Sequence, residues 1–317
     1  MEALAVAAKS FVVINAVLVA FAYILLFERK ILGWMQYRKG PNRVGPWGLL
    51  QPIADAVKMF LKEDIIPKDA DRLVFQLAPI VSLAVALTAF AFVPIGPGLA
   101  VVKDADAGML ALMAVLSLEV YGVALGGWAS QSKYALMGAL RSTAQLISYE
   151  LAMGMTVLAV FIMAGSTRFD AIVASQEGLW NIVRMPLAFL LFFIAMLAET
   201  ARTPFDLPES ESELVAGYHT EYSGMRFGMF FMAEYVNLVT ATALITLLFL
   251  GGWLGPAFLP GWVWFLLKQS LVIFLFIWIR ATLPRFRYDR LMAFGWKVML
   301  PLAALNLVVY ATWAALA

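Results

Sequence analysis

Phe11-Val-Val-Ile-Asn-Ala-Val-Leu-Val-Ala-Phe-Ala-Tyr-Ile-Leu-Leu-Phe27 runs directly into Glu28-Arg29-Lys30. With its flanks, 10–28, the run approaches the roughly 20 residues that an α-helix needs to cross the hydrocarbon of a bilayer. The residues after it are basic, with no small-residue cleavage site, so it predicts a retained first membrane helix rather than a removable leader. Seven further runs repeat the pattern, at 74–94, 108–128, 144–165, 185–201, 228–250, 261–282 and 297–316. The whole chain is 63% hydrophobic and 14% charged, with a mean hydropathy of +0.84, against about 25% charged for a soluble domain. Only helices and closed barrels satisfy their backbone polar groups in lipid. The expected fold is therefore all-α and integral to the membrane: one polytopic domain, 1–317, with eight transmembrane helices.

Lys and Arg are divided sharply between alternate loops. Eighteen follow the odd-numbered spans and three lie in the other loops, at Lys103, Arg168 and Arg184. Basic loops stay in the cytoplasm, which predicts a multi-pass protein of a bacterial inner membrane with both termini in the periplasm; a mitochondrial inner membrane would read similarly. The long loops then face the cytoplasm. In the first, 29–73, the turn-rich Gly40-Pro41-Asn42-Arg43-Val44-Gly45-Pro46 precedes a predicted helix from about Pro52. Trp47, Leu50, Ala54, Val57 and Leu61 share one face of it, and Asp55, Lys58 and Lys62 the other. Two accounts stay open: an amphipathic helix lying on the membrane surface, or a helix whose Asp55 and Lys58, one turn apart, line a cavity at headgroup level.

Four glutamates interrupt the apolar runs: Glu119, Glu150, Glu199 and Glu234. Each unpaired charge in mid-bilayer costs about 2.5–3.5 kcal/mol on the insertion scale. These carboxyls must therefore be paired, face internal water, or hold a proton. The predicted topology puts all four towards the cytoplasmic side, where they could form a file towards mid-membrane. Carboxyls that share a dry environment can exchange protons near neutral pH, and Tyr149 and Tyr235 stand beside two of them. The alternative is that they join helices by hydrogen bonds alone.

The third cytoplasmic loop, 201–228, is the densest in chemistry. Arg202 follows Glu199 by three residues and would pair with it if the helix continued. Phe205 and Asp206 come next, then Glu209, Glu211 and Glu213 alternating with serine, which share a face in an extended segment. This run reads either as a solvated acidic loop or as a bridge to the membrane carboxylates. The last inner loop, Arg280 to Lys297, reads as a positive topological anchor or a docking face for a soluble partner. Lys268 reads as a snorkelling residue, and His219 as a surface one.

The chain has no cysteine and one histidine. It has no ligands of its own for an iron–sulfur cluster, a bis-histidine haem or an ordinary zinc site. It contains no GxGxxG or Walker A loop. Any metal in its chemistry must belong to a partner, and no nucleic-acid partner is expected.

Longer motifs then become recognisable: Glu28-Arg29-Lys30-Ile-Leu-Gly33-Trp-Met-Gln36-Tyr-Arg38-Lys-Gly40-Pro41-Asn42, Leu50-Gln51-Pro52-Ile-Ala-Asp55-Ala-Val-Lys58, Ser148-Tyr149-Glu150, Glu199 to Asp206, Glu211 to Val215, Glu221-Tyr222-Ser223 and Pro284-Arg285-Phe286-Arg287-Tyr288-Asp289. Together they resemble the H-type membrane subunits of respiratory complex I, the proton-pumping NADH:quinone oxidoreductase. The resemblance covers nearly the whole chain; one small departure is Arg290, where many relatives carry glutamine. It implies an eight-helix component that works within an enzyme without a redox centre of its own. FMN and the iron–sulfur clusters would sit in partner subunits, the other membrane and hydrophilic-arm subunits would pack around it, and quinone would be the substrate. By motif, Arg29, Asp55, Lys58, Arg202 and Phe205 would line or control the quinone tunnel. Glu119, Glu150, Glu199, Asp206, Glu209, Glu211 and Glu234 would form the acidic route, supported by Tyr149 and Tyr235. Rival expectations are the equivalent component of a membrane-bound hydrogenase or formate-oxidising complex, and a stand-alone secondary transporter, for which no inverted repeat is visible.

Overall fold

The computed structural model describes residues 2–97, 99–102, 106–206 and 215–316, with side chains from residue 9 onward. Among the described residues all regular structure is helical. The helices are α1 (Glu2–Met35), α2 (Gln51–Leu61), α3 (Arg72–Ala91), α4 (Gly108–Leu116), α5 (Glu119–Ala129), α6 (Lys133–Ala164), α7 (Phe169–Ala174), α8 (Asn181–Arg184), α9 (Pro186–Glu199), α10 (Gly224–Phe249), α11 (Gly261–Thr282), α12 (Tyr288–Phe294) and α13 (Leu300–Leu316).

Seven of the described helical stretches are long and apolar enough to cross a membrane: α1, α3, α4 with α5, α6, α10, α11, and α12 with α13. The remaining predicted run, 185–201, forms α9, an apolar helix that starts at Pro186 and ends on Glu199. Three helices outrun their apolar windows. α1 continues to Met35, α6 begins at Lys133, and the last stretch begins at Tyr288. Hydropathy marks only the segment matched to lipid, and nothing at these ends breaks a helix where the hydrocarbon stops. Two local irregularities shape the interior. The α4–α5 stretch is interrupted at Ser117 and Leu118, immediately before Glu119. A π-helical turn, Gly295–Met299, joins α12 to α13.

α10 is the centre of the bundle. Some 83% of its most apolar window is buried, against 11% for α1 and 17% for the final stretch. It packs on α1, α3, α9 and α11, while α5 and α6 pack on each other beside α3 and α9. α3 and α5 approach closely at Gly122, where a Cβ would stand 2.1 Å from Ser82 Oγ. At the far end of α10, Gln176 donates to the Leu247 carbonyl and Asn181 to that of Leu248. Lys268 donates to the carbonyls of Leu250 (2.7 Å), Gly252 (3.1 Å) and Leu254 (2.6 Å), with its ammonium 4.3 Å from the centre of the Trp180 ring. It does not snorkel. It is buried and satisfies carbonyls of the turn that follows α10.

Candidate functional site

Helix α9 stops at Glu199 because the chain turns there. Thr200 leaves helical geometry and Ala201 takes a positive φ of 47°. The Arg202 side chain is thereby carried away from Glu199 and across to α1 and α10. Its Nη1 lies 3.0 Å from Glu28 Oε1 and its Nη2 3.0 Å from Glu234 Oε1. The expected pairing of Arg202 with Glu199 is thus replaced by a bridge between two membrane helices. Arg280, from the end of α11, also pairs with Glu28 Oε1. The Tyr235 hydroxyl donates to Glu28 Oε2 at 2.7 Å, and the Arg202 guanidinium lies 4.4 Å from the centre of the Tyr235 ring. Two carboxylates and two guanidiniums make the cluster neutral as a set. With Glu28 2% and Arg202 4% exposed, breaking it by removing one partner costs about 3–5 kcal/mol.

Glu28 and Arg280 are members of this cluster that the pattern of apolar runs left unmarked, since each falls at the end of a run where charge is ordinary. The signal for Glu28 is that it precedes Arg29 and Lys30 within a helix that continues to Met35, so its position is inside the helix rather than beyond it.

Glu119, Glu199 and Glu234 line one small cavity of about 30 Å³, together with Ser82, Ser142, Thr200, Tyr218 and Asn237. The break at Ser117–Leu118 sets Glu119 at the start of α5. Glu119 is within electrostatic reach of Glu234, and Glu199 of both Glu119 and Glu150. The half-buried Glu150 lies outside the lining of this cavity. Glu234, Glu119, Glu199 and Glu150 are thus each within electrostatic reach of the next. Glu119 Oε2 and Glu199 Oε2 are buried and make no hydrogen bond to a described residue. Each such group costs about 1–3 kcal/mol unless something else satisfies it, and the cavity exceeds the roughly 10–15 Å³ that one water needs.

The loop beyond Arg202 is pinned from two sides. Gln145 of α6 donates to the carbonyls of Ala198 (2.8 Å) and Phe205 (2.9 Å). Arg285 pairs with Asp206 at 2.7 Å, and the Phe286 amide donates to the Pro204 carbonyl. Phe205 is buried, edge-on to Tyr149 and tilted against Phe286. Burial pushes the Asp206 carboxyl above its usual range, and Arg285 opposes that shift. Tyr149 donates to the Leu291 carbonyl at 3.0 Å and lies against Gly295 of the π-helical turn. Of the two tyrosines beside glutamates, Tyr235 therefore reaches a carboxylate and Tyr149 a backbone group. Glu209, Glu211 and Glu213 lie outside the described residues.

A second cavity, of about 470 Å³, lies between α1, α2, α3 and α10. Its lining is largely apolar, with Leu25, Leu83, Phe231 and Met232 among the walls, and its charged groups are Arg29, Asp55 and Lys58. Arg29 Nη1 lies 2.7 Å from Asp55 Oδ2, and Gln51 donates to Asp55 Oδ1 at 3.0 Å. Gly40 makes this end possible: a Cβ there would stand 2.9 Å from Lys30 Cα, so the chain after α1 can fold back only without a side chain. On α2, Ile53, Val57, Phe60 and Leu61 are exposed. The segment after α2 is tied to the start of α10, where Arg226 pairs with Asp64 at 3.2 Å and Ser223 Oγ accepts from the Ile65 amide. The five residues expected at a tunnel thus divide: Arg29, Asp55 and Lys58 line this cavity, while Arg202 joins the buried cluster and Phe205 packs on Tyr149. Phe21 is an aromatic link between them, since it lines the cavity and packs edge-on against Tyr235 at 5.6 Å.

Comparison with known proteins supplies a family. The family model described as NADH dehydrogenase matches residues 8–311. The chain is 57% identical over 309 residues to the H subunit of NADH-quinone oxidoreductase from Syntrophotalea carbinolica, covering 95% of this chain and 93% of that one. It is 53% identical over 310 residues to the H 1 subunit of the Geobacter metallireducens enzyme, covering 95% and 94%. With the H 1 subunit from Symbiobacterium thermophilum it shares 52% identity over 322 residues, covering 100% of this chain and 98% of that protein.

Proposed function

The chain belongs to the NADH dehydrogenase family, as a membrane subunit of the multi-subunit enzyme NADH-quinone oxidoreductase, and on that premise we propose that it couples quinone reduction to proton translocation through its buried carboxylates. The observation that carries this reading is the convergence of Glu119, Glu199 and Glu234 on one cavity, from three different helices, with Glu234 held by Arg202. Carboxyls spent on helix-to-helix bonds would be saturated, and two of these keep an oxygen without a hydrogen bond to a described residue.

The larger cavity receives the quinone. Its apolar walls suit an isoprenoid tail, and Arg29, Asp55 and Lys58 give its inner end the charged groups that respond to a headgroup changing charge. Reduction takes two electrons and two protons. The electrons come from partner subunits that hold FMN and iron–sulfur clusters, since this chain has no cysteine. The change is passed through Phe21, Tyr235 and the Glu28–Arg202–Glu234 bridge to the carboxylate file. Release of Glu234 from Arg202 makes its carboxylate a proton acceptor for Glu119.

The same reading counts α9 as an eighth crossing, sets both termini in the periplasm of a bacterial inner membrane by the charge of the loops, and lays the exposed apolar residues of α2 on the lipid surface. Asp206, and Glu209 and Glu211 beyond it, are assigned to the loop that joins the two sites. The test uses membranes bearing the intact complex with Asp55→Asn or Glu150→Gln, assembly being checked in both. We expect loss of quinone reduction in the first and loss of coupled turnover or pumping in the second; two assembled variants that behave as wild type contradict the assignment.

A further inference from the structure

Among the uncharged residues that line the small cavity, Asn237 and Ser82 stand apart by their buried polar atoms. Asn237 lies one helical turn after Glu234 on α10 and is 4% exposed; Ser82 comes from α3 and is 1% exposed. Both line the cavity with Glu119, Glu199 and Glu234. Ser82 Oγ and both amide atoms of Asn237 are buried without closing a well-formed hydrogen bond to any described residue, although the Asn237 amide is near enough to Glu119 to interact with it. Ser82 is held in place where α3 meets Gly122 of α5, one turn along from Glu119.

A buried amide and hydroxyl that close no well-formed hydrogen bond are a poor choice for packing, since an apolar side chain fills the same space without a desolvation cost. They suit a polar ligand that both donates and accepts. The space is about 30 Å³, enough for about two waters, and a buried water needs 2–4 polar partners. Neither side chain ionises, so neither competes for the proton being moved. We propose that Ser82 and Asn237 are positioning residues that seat water in this cavity and orient it between Glu119, Glu199 and Glu234. As the carboxyl of Glu119 gives its proton to the seated water, that water passes another of its protons to the carboxylate of Glu199; the water is restored and the charge has moved by one site. This rests on the proton-transfer role proposed for the carboxylates.

The test measures NADH-driven proton uptake into sealed vesicles carrying the intact complex, with Ser82→Ala, Asn237→Leu, Asn237→Ser and, as a control, Glu119→Gln. A water seat predicts that Ser82→Ala and Asn237→Leu assemble yet lose roughly tenfold in pumped turnover, about the value of one net hydrogen bond, while Asn237→Ser recovers most of the wild-type rate. A packing role predicts the reverse order, with alanine and the similarly branched leucine tolerated and serine damaging, and that result overturns the proposal. If Asn237→Leu fails to assemble, the other two decide: a slow Ser82→Ala beside an active Asn237→Ser supports the seat, and a normal Ser82→Ala overturns it. Wild-type rates in Ser82→Ala and Asn237→Leu beside an impaired Glu119→Gln overturn the water seat alone. Wild-type rates in all four overturn the carboxylate route as well.

Discussion

Arg202 and Glu28, 174 residues apart in the chain, meet at 3.0 Å in the interior of the bundle. The guanidinium belongs to the loop after α9 and the carboxylate to the C-terminal third of α1, so one ion pair joins the acidic cavity to the helix that also supplies Arg29 to the larger cavity.

Removing one member of that pair leaves the other charged and buried. Arg202→Met is expected to cost about 3–5 kcal/mol, seen as a lower yield of assembled complex and a lower thermal midpoint. Glu28 keeps Arg280 and Tyr235 in that variant, so Glu28→Gln in the same chain should add less than its own single-variant loss, because the pair it shares with Arg202 is already gone. A double variant whose loss equals the sum of the two single losses would falsify the direct pairing.

Lys268 makes a different prediction, since it serves the opposite end of α10. Lys268→Met uncovers the carbonyls of Leu250, Gly252 and Leu254, and groups of this kind cost about 1–3 kcal/mol when left unpaired. Thermal stability should fall by that order, while the complexes that assemble keep their proton-to-electron ratio. A lowered ratio at unchanged stability would mean that Lys268 belongs to the proton route instead.

His219 gives the complex an acid-sensitive element. It is packed edge-on between Tyr218 and Phe227, and burial holds its pKa below the usual 6.5, with Glu234 and Asp206 acting the other way. A histidine buried neutral contributes stability above about pH 6.5 that is lost as the pH falls through its lowered value. Thermal midpoints of the purified complex should therefore decline below pH 6.5, and His219→Gln should flatten that part of the curve. Equal slopes in the two proteins would show that His219 does not carry the acid sensitivity.

Much of this arrangement is legible in one dimension. Helices that cross lipid announce themselves through the length of their apolar runs, as α11 does at 261–282, and carboxylates inside such runs stand out because lipid penalises them. Glu119, Glu199 and Glu234 are conspicuous on that ground alone, without knowledge of their common cavity. What cannot be read this way is where a side chain goes once a helix ends. Arg202 has the spacing of a partner for Glu199, but the turn at Ala201 sends it to Glu28 and Glu234. Glu28 and Arg280 are hidden for the opposite reason, since a charge at the edge of a span is the commonest kind. Lys268 resembles any lysine near an interface until three carbonyls are found around its ammonium. The neutral seats, Ser82 and Asn237, have no signature in hydropathy or charge and depend on three helices converging.

The measurement that bears most directly on the central claim is the number of protons moved per NADH oxidised by vesicles carrying Glu199→Gln, with the amount of assembled complex matched to wild type. Glu199 is within electrostatic reach of both Glu119 and Glu150 and makes no ion pair among the described residues. An amide there keeps the shape and removes the exchangeable proton. A proton-conducting file predicts that NADH oxidation becomes slow or uncoupled, with fewer protons moved per electron pair. Wild-type turnover with the wild-type ratio would contradict it, and would leave the buried carboxylates as structural groups.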